Sequence, residues 1–266
     1  MNQRIRLDVQ DGIATVSLNR PDKHNGMDLL MLRELIATQR ALRKRRDLRA
    51  VILRGEGPSF CAGLDFKSVL SSPAKAFFAA TQLWWPMRNH FQRWSMGWRE
   101  LPVPVIAVVH GNCFGAGIQL ALGADIRVAA PDTKVSVMEA KWGLVPDMGG
   151  VALLRELLPL DVVKELVFTG RVIDAATAHG LGLVTHLADD PQAKAKALLA
   201  EMLTRSPDAL AAGKRLLQSA WLASEHGALS AERRWQWRVI GRANQRVAVE
   251  RNTRNPDASW KERRIR

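Results

Sequence analysis

Cysteine is scarce in this chain of 266 residues. Its two cysteines, Cys61 and Cys113, lack a metal-ligand spacing and are too few for a secreted disulfide framework. No apolar run is long enough to span a bilayer, and the N-terminal residues lack the apolar stretch of a signal peptide. Low-complexity segments are absent, which argues against a disordered chain. We therefore expect a cytoplasmic globular protein with no metal ion and no membrane partner.

Acidic residues are also few, since 39 Lys and Arg outnumber 26 Asp and Glu and give a net charge of +13. The surplus is concentrated at positions 43–46 and from 231 to 266. Such clusters complement helix ends or form solvated faces, and they can also contact an anionic small molecule or a nucleic acid. Trp235 and Trp237 stand among Arg233, Arg234 and Arg238, which suits base stacking. We favour an amphipathic helix that buries both tryptophans, with nucleic acid as a secondary alternative.

Alternating and β-branched segments predict a mixed α/β chain. Strands are expected at 13–18, 49–54, 103–109, 125–129 and 134–137, with a loop at 112–117. Asp28 is a suitable N-cap for a helix that runs to about residue 46. The segment 68–100 has a helical pattern interrupted by Pro86, and we assign at least half of its four tryptophans to the core. The chain is expected to be helical from Val151 onward, with a short return at 180–186, and the tail after about residue 252 is expected to fray.

Two segments of the chain share one form. They are A-V-I-L-R-G-E-G-P-S-F-C-A-G-L-D at 50–65 and P-V-I-A-V-V-H-G-N-C-F-G-A-G-I-Q at 104–119. Each has a buried strand, a glycine, a loop with Phe, and Ala-Gly opening a helix. This similarity indicates a spiral of β-β-α units in which each turn stacks on the last.

The Ala-Gly junctions of these two segments are candidate anion sites. Helix N-termini leave backbone N–H groups unpaired, and small residues let a ligand approach the backbone closely. Two such junctions side by side would form an oxyanion hole that stabilises an enolate without a metal or cofactor. Ordinary tight turns are the alternative. The phosphate-cradling pattern G-x-x-x-x-G-K-[ST] is excluded, because no lysine follows at the required place.

Two carboxylates stand among apolar residues in S-V-M-E-A-K-W-G-L-V-P-D-M-G-G at 136–150. Glu139 and Asp147 are eight residues apart. Apolar surroundings raise the pKa of a carboxyl group toward the range where it exchanges protons. Facing one pocket, the pair could remove a proton at one carbon and return it at another. The alternative is a solvated turn in which Asp147 has a structural role.

The chain resembles the crotonase superfamily, the enoyl-CoA hydratase/isomerase family. The resemblance rests on four segments in the family's order: L-N-R-P-D-K-H-N-G-M-D, F-C-A-G-L-D, H-G-N-C-F-G-A-G-I-Q-L-A-L-G-A-D-I-R-V-A and M-E-A-K-W-G-L-V-P-D-M-G-G. The helical remainder, with its S-P-D-A-L-A-A-G-K block, is similar too.

The resemblance implies an α/β fold, a crotonase-like β-β-α spiral core at 1–204 followed by a C-terminal helical trimerisation region at 205–266. It implies a homotrimer or a dimer of trimers, and an acyl-CoA substrate whose coenzyme A makes a separate cofactor unnecessary. The oxyanion donors would be the backbone N–H groups of Leu64 and Ala116, with Gly117 alongside. The residues implied to line the CoA site are Lys23, His24, Gly26, Ala62, Gly63, Asp65 and Phe66.

The sequence departs from the family's hydratases at one of their two glutamates. Glu139 matches one of them, but the other position is Gln119, an amide that cannot accept a proton and can only orient a water. Asp147 resembles the extra acid of the dienoyl-CoA isomerases, in which the aspartate removes a proton beside the thioester carbonyl and the glutamate delivers one to the far end of the conjugated system. In that branch the position of Gln119 is usually a third acid, so the match is partial.

The lead hypothesis is therefore an isomerase of unsaturated acyl-CoA thioesters that transfers protons through Glu139 and Asp147. A single double-bond shift that uses only Glu139 is also compatible with the sequence. The same-class alternative is an enoyl-CoA hydratase in which Gln119 and Glu139 hold the water. The alternatives of another class are an RNA-binding protein and a non-catalytic CoA-thioester binder, since fold resemblance does not determine activity.

Overall fold

A computed structural model describes residues 3–69 and 72–266 as nine strands and twelve α-helices. The strands are β1 Ile5–Gln10, β2 Ile13–Leu18, β3 Ala50–Gly55, β4 Val105–Val109, β5 Asn112–Phe114, β6 Ile126–Ala129, β7 Lys134–Ser136, β8 Ile173–Asp174 and β9 His186–Leu187. The helices are α1 Leu29–Lys44, α2 Phe66–Val69, α3 Pro73–Leu83, α4 His90–Arg99, α5 Ala116–Leu122, α6 Gly150–Leu154, α7 Leu160–Thr169, α8 Ala175–Gly180, α9 Pro191–Leu203, α10 Pro207–Ala220, α11 Glu225–Val239 and α12 Ala243–Thr253. Short 3₁₀ helices lie at Pro21–Lys23 and Glu139–Trp142.

The strands form two sheets between which the chain alternates. The larger sheet has the order β1-β2-β3-β4-β6-β9, and all its pairs are parallel except β1 with β2. The smaller sheet has the order β5-β7-β8. From β4 to β7 the chain passes from one sheet to the other at each strand, which gives the predicted β-β-α spiral. The predicted α/β fold class is confirmed.

Burial explains why the central strands were easy to predict. Strands β3 and β4 are buried almost throughout, as expected of parallel strands covered on both faces. The predicted loop at 112–117 is wrong in its first half, because 112–114 form β5, whose Cys113 pairs with Val135 of β7. Strand β1 was not predicted, because it is an edge strand with mostly exposed residues.

Helices α1 and α4 pack together behind the larger sheet. Asp28 caps α1 as predicted, accepting a hydrogen bond from the Met31 N–H at 2.8 Å. The predicted helical segment 68–100 forms α2, α3 and α4, although residues 70 and 71 lie outside the described residues. Trp94 and Trp98 are fully buried, and the other two tryptophans are exposed. The prediction that at least half of the four belong to the core is confirmed.

The C-terminal tail is docked, so the prediction that it frays is wrong. Buried Asp208 on α10 accepts hydrogen bonds from the Arg264 and Ile265 N–H groups at 2.7 and 2.9 Å. Arg263 donates to the Arg45 carbonyl oxygen at 2.8 Å, which ties the tail to the end of α1. The predicted boundary between 204 and 205 falls between α9 and α10.

The two tryptophans of α11 also differ from the prediction. Trp237 is exposed, and Trp235 is half-buried beneath the Arg238 guanidinium, 4.7 Å from its ring centroid. Trp235 is therefore stacked with Arg238, whereas the ring of Trp237 is exposed.

Candidate active site

The first oxyanion candidate is the loop between β3 and α2. Its backbone is fixed from both sides, since the Met27 N–H donates to the Gly63 carbonyl oxygen at 2.8 Å and the Asp65 N–H donates to the Met27 carbonyl oxygen at 2.9 Å. Gly63 has a φ of +102°, which favours glycine. Within 3–69 and 72–266, no acceptor takes the intervening Leu64 N–H. That donor is therefore available to a ligand.

The second candidate is the start of α5. Gly115 adopts a φ of +50°, and the N–H groups of Ala116 and Gly117 find no acceptor among the described residues. The two loops touch, because a Cβ built on Gly63 would lie 3.9 Å from the Ala116 nitrogen. A Cβ on Gly117 would lie 2.2 Å from the Cys61 carbonyl oxygen, so this close packing requires glycine. The structure thus brings the predicted donor loops together.

Glu139 lies above the second loop. Its Oε1 is 3.5 Å from the place where a Cβ on Gly115 would lie. Oε1 accepts a hydrogen bond from the Gln119 Nε2 at 2.6 Å, whereas the buried Oε2 has no partner in the described part of the chain. Burial raises the pKa of Glu139; its own backbone N–H and the Gln119 amide oppose this, and the charge of Asp147 adds to it. This carboxyl group is suited to hold a proton and release it through Oε2.

Gln119 connects Glu139 to the loop that follows it. While its Nε2 donates to Glu139, its Oε1 accepts from the N–H groups of Met148 and Gly150 at 2.9 and 3.0 Å. The side chain is buried, and a Cβ on Gly150 would lie only 2.6 Å from Oε1. The amide therefore fixes the positions of the carboxylate and of the loop after Asp147.

Asp147 is the second acid predicted for the site. Its side chain is open to solvent, yet neighbouring protein atoms desolvate the carboxyl group and raise its pKa against the hydrogen bond from its own backbone. The charge of Asp147 contributes to the raised pKa of Glu139, so the two carboxyl groups are close enough to interact electrostatically. Met148, the residue after Asp147, and Glu139 are both hydrogen-bonded to Gln119, so the structure brings the two predicted acids near each other.

A cleft of about 520 Å³ leads to the Leu64 N–H. Its lining includes Lys23, Gly26, Ala62, Gly63 and Asp65 from the predicted CoA site, and adds Leu64, Lys67 and Ser68. Burial works to raise the pKa of Asp65, but the Ser68 N–H and the Arg20 guanidinium outweigh it and lower that pKa. Asp65 is thus an ionised structural partner of Arg20.

Two residues predicted for the CoA site do not line this cleft. The Nδ1 of His24 is 2.9 Å from the Ser59 hydroxyl, so that ring supports the loop from behind. The Phe66 ring packs on Trp142, with centroids 5.0 Å apart. Exposed Trp142 lies three residues after Glu139 in a 3₁₀ helix, where side chains at i and i+3 eclipse, so it points to the same side as the acid.

Helix α4 contributes residues that the sequence did not reveal. A Cβ on Gly149 would lie 3.0 Å from the Met96 Cγ and 3.7 Å from the Gln92 carbonyl oxygen. The Trp94 Nε1 donates to the Ala116 carbonyl oxygen at 2.8 Å and anchors α4 beside the second donor loop. A helical pattern predicted α4 as an element, but only the packing shows that it borders the second donor loop and Gly149.

Two other large cavities lie away from these acids. One of about 460 Å³ lies among α5, β6, α9 and α10, and one of about 620 Å³ lies among α10, α11 and α12. Lys214 borders the first, but its Nζ is bonded to Asp125 and to the Trp98 and Val103 carbonyl oxygens. This lysine joins α10 to the core.

The described residues contain no group of three His, Cys, Asp or Glu side chains able to hold a metal ion. Cys61 and Cys113 are free and buried, and burial raises the pKa of Cys61 to about 12. Within 3–69 and 72–266, no helix combines the length and apolarity that crossing a bilayer requires.

Comparison with known proteins places this geometry in a family. The family described as Enoyl-CoA hydratase/isomerase matches residues 8–263. Human mitochondrial Delta(3,5)-Delta(2,4)-dienoyl-CoA isomerase is 34% identical over 77% of this chain and 65% of its own. Human mitochondrial methylglutaconyl-CoA hydratase is 31% identical over 76% and 60%. Enoyl-CoA hydratase EchA19 of Mycobacterium tuberculosis is 35% identical over 69% and 67%. The chain spans about two thirds of the length of these relatives.

Solved structures agree with the sequence relatives. Enoyl-CoA hydratase from Bacillus anthracis superposes with a TM-score of 0.89 and 26% identity, covering 97% of this chain and 99% of that one. A Thermobifida fusca protein solved in complex with CoA gives a TM-score of 0.80 and 30% identity, covering 89% and 92%. By its family match, its sequence relatives and its fold, the chain belongs to the enoyl-CoA hydratase/isomerase family of the crotonase superfamily.

Proposed function

We propose that this protein shifts the double bonds of an unsaturated acyl-CoA, converting a 3,5-dienoyl thioester to the 2,4-dienoyl isomer. The observation that supports it best is the hydrogen bonding of Gln119, which occupies its amide and leaves Glu139 and Asp147 as the acids available for proton transfer. The Thermobifida fusca relative was crystallised with CoA and with acetoacetyl-CoA, which supports a CoA thioester as substrate.

The thioester oxygen is held by the N–H groups of Leu64 and Ala116, with Gly117 alongside. These donors lack acceptors within the described residues and are fixed by the backbone bonds of their loops. They stabilise negative charge as it develops on the oxygen, without reorganising during the reaction. Coenzyme A enters along the cleft bordered by Lys23 and Lys67 and is part of the substrate, so no separate cofactor is needed.

Proton transfer uses the acids in opposite protonation states. Ionised Asp147 takes a proton from C2, and the electron pair moves into the conjugated system as the double bonds shift to C2–C3 and C4–C5. Protonated Glu139 donates its proton at C6. The product carries away one proton and leaves one on Asp147, and exchange with water restores both groups. The desolvated Glu139, with its unpartnered Oε2, suits the donor role, and the solvent-open Asp147 suits exchange.

The test is the absorbance change when purified protein meets a 3,5-dienoyl-CoA or a 2-enoyl-CoA. We expect the conjugated 2,4-dienoyl band to grow, with a bell-shaped pH dependence, because Asp147 must be ionised and Glu139 protonated. Asp147→Asn and Glu139→Gln should each lower kcat at least about 100-fold, since each removes a proton-transfer group.

Asp174→Asn is the matched control, because this exposed aspartate caps α8 away from the cleft. Loss of the 2-enoyl band alone would instead identify a hydratase in which Gln119 and Glu139 position water. Full activity of both acid variants would contradict the proton shuttle, provided that their circular dichroism matches the wild type.

A further inference from the structure

An exposed apolar ridge lies on α3 and on the turn into α4. Its large side chains are Phe77, Trp84, Trp85 and Met87, and the two tryptophans are 87% and 60% exposed. The turn is held by the Gln82 carbonyl oxygen, which accepts from the Trp85 N–H at 3.3 Å and from the Asn89 Nδ2 at 3.2 Å. These four residues are called the tryptophan ridge. Phe77 and Trp84 are seven residues apart, two turns along one face of α3, and Trp85 and Met87 follow in the turn. Their exposure needs an explanation, because exposed apolar patches mark interaction sites.

The surroundings of the tryptophan ridge are positively charged. From 66 to 99 the sequence contains no Asp or Glu. Arg33 of α1 holds its guanidinium 5.5 Å from the ring centroid of Phe78, the residue after Phe77. His90 lies edge-on to the same ring, and its pKa is lowered by burial and then by Arg40, Arg93 and Arg33.

Exposed Arg33 and Arg40 make no ion pair within the described part of the chain. They stand seven residues apart on α1, two helical turns along the same face. Arg33 therefore borders the ridge beside Phe77, Arg40 lies two turns further along the same face of α1, and no ion pair among the described residues neutralises either charge.

We propose that the tryptophan ridge docks on the surface of an anionic lipid bilayer. Trp84 and Trp85 would lie at the level of the headgroups, where tryptophan is favoured at membrane interfaces. Arg33 and Arg40 would face lipid phosphates, and each basic side chain near such a surface contributes about 1 kcal/mol. This contact is peripheral, and it revises the expectation from sequence that no membrane is a partner.

Charge favours the bilayer over a second copy of the chain. Two ridges facing each other would bring the unpaired arginines of both copies together, and like charges repel. An anionic bilayer offers apolar depth for the rings and negative charge for the arginines at the same place. The proposal does not depend on the reaction that the active site performs.

The experiment is co-sedimentation with vesicles of phosphatidylcholine and phosphatidylglycerol in equal parts, compared with pure phosphatidylcholine. We expect binding to the anionic vesicles that weakens with added salt. Trp84→Ser with Trp85→Ser should lower the partition coefficient about tenfold. Arg33→Gln with Arg40→Gln should lower it about fivefold per arginine. Trp237→Ser is the control, since it removes an exposed tryptophan that also has arginine neighbours, and it should bind as the wild type does.

Three results would overturn the proposal. The wild type could fail to sediment with anionic vesicles. The Trp237→Ser variant could lose as much binding as the ridge variant, which would show that exposed tryptophans bind the vesicles regardless of their position. Light scattering could show that the double tryptophan variant falls apart from a larger assembly, which would assign the ridge to contacts between copies. All variants replace exposed side chains, and circular dichroism verifies that they fold.

Discussion

At the scale of single residues, Gln119 shows how an amide can organise acids without joining their chemistry. It links the carboxylate of Glu139 to two backbone N–H groups of the loop that follows Asp147. A charged residue at 119 would stand within hydrogen-bond distance of Glu139 and would compete with it for a proton. The neutral amide avoids that competition and holds Glu139 against the loop that follows Asp147.

Replacing Gln119 separates its positioning role from proton transfer. Gln119→Ala leaves the buried N–H groups of Met148 and Gly150 without acceptors, and we expect a loss of about 2 kcal/mol or more in the free energy of unfolding. Gln119→Glu keeps an acceptor for both groups and should recover most of that stability. Its second carboxyl beside Glu139 should move the alkaline limb of the pH–rate profile upward, because a like charge raises the pKa.

Urea unfolding and pH–rate profiles measure the two effects of these Gln119 variants. Gln236→Ala, an exposed position on α11, is the control for loss of an amide. If Gln119→Ala were as stable as the wild type, the amide would not hold the loop.

Residue types and their spacing were enough to predict the candidate acids and the candidate N–H donors from the sequence. Glu139, Asp147, Leu64 and Ala116 stand in short local motifs, so their positions follow from segments a few residues long. The Phe66–Trp142 ring pair and the approach of Met96 to Gly149 join residues far apart in the chain. No local pattern contains such contacts, which depend on how α4 and the 3₁₀ helix pack.

At the scale of elements, buried parallel strands and capped helices could be predicted because their signals are local. Strand β2 and the Asp28 cap of α1 were found where predicted. The tail was misjudged because its partners are distant. Asp208 lies 56 residues before Arg264, and Arg45 lies 218 residues before Arg263. A polar, basic segment looks solvated until such partners are known.

The docked tail should therefore contribute measurably to stability. Asp208→Ala removes a buried charged acceptor from the Arg264 and Ile265 N–H groups, and we expect a loss of about 3 kcal/mol in the free energy of unfolding. Hydrogen exchange should quicken at the tail and in the neighbouring turn of α10. Arg266→Ala, at the exposed end of the same tail, is the control and should leave both unchanged. Equal stability of the Asp208→Ala variant would show that the tail is frayed in solution, as the sequence suggested.

At the scale of the whole molecule, the distribution of apolar surface bears on assembly. A homotrimer or a dimer of trimers was implied by the family resemblance and stays a prediction. The segment from α6 to β8 exposes five large apolar side chains: Val151, Leu157, Leu160, Phe168 and Val172. These five side chains are called the apolar face, and their burial against another subunit would stabilise an oligomer at about 25 cal/mol per Å² of apolar area.

The mass of the protein in solution tests whether this apolar face is a contact between subunits. Light scattering of the wild type should give a mass three or six times that of the 29.6 kDa chain. Phe168 is 73% exposed in the single chain, so Phe168→Glu should fold normally while placing a charge in the contact and shifting the mass toward one chain. Leu7→Glu replaces an exposed leucine on the edge strand β1, outside both this face and the region 205–266, and is the matched control, expected to keep the wild-type mass. A wild type that is monomeric at high concentration would contradict the trimer, and a Phe168→Glu variant that keeps the full mass would move the contact to another face.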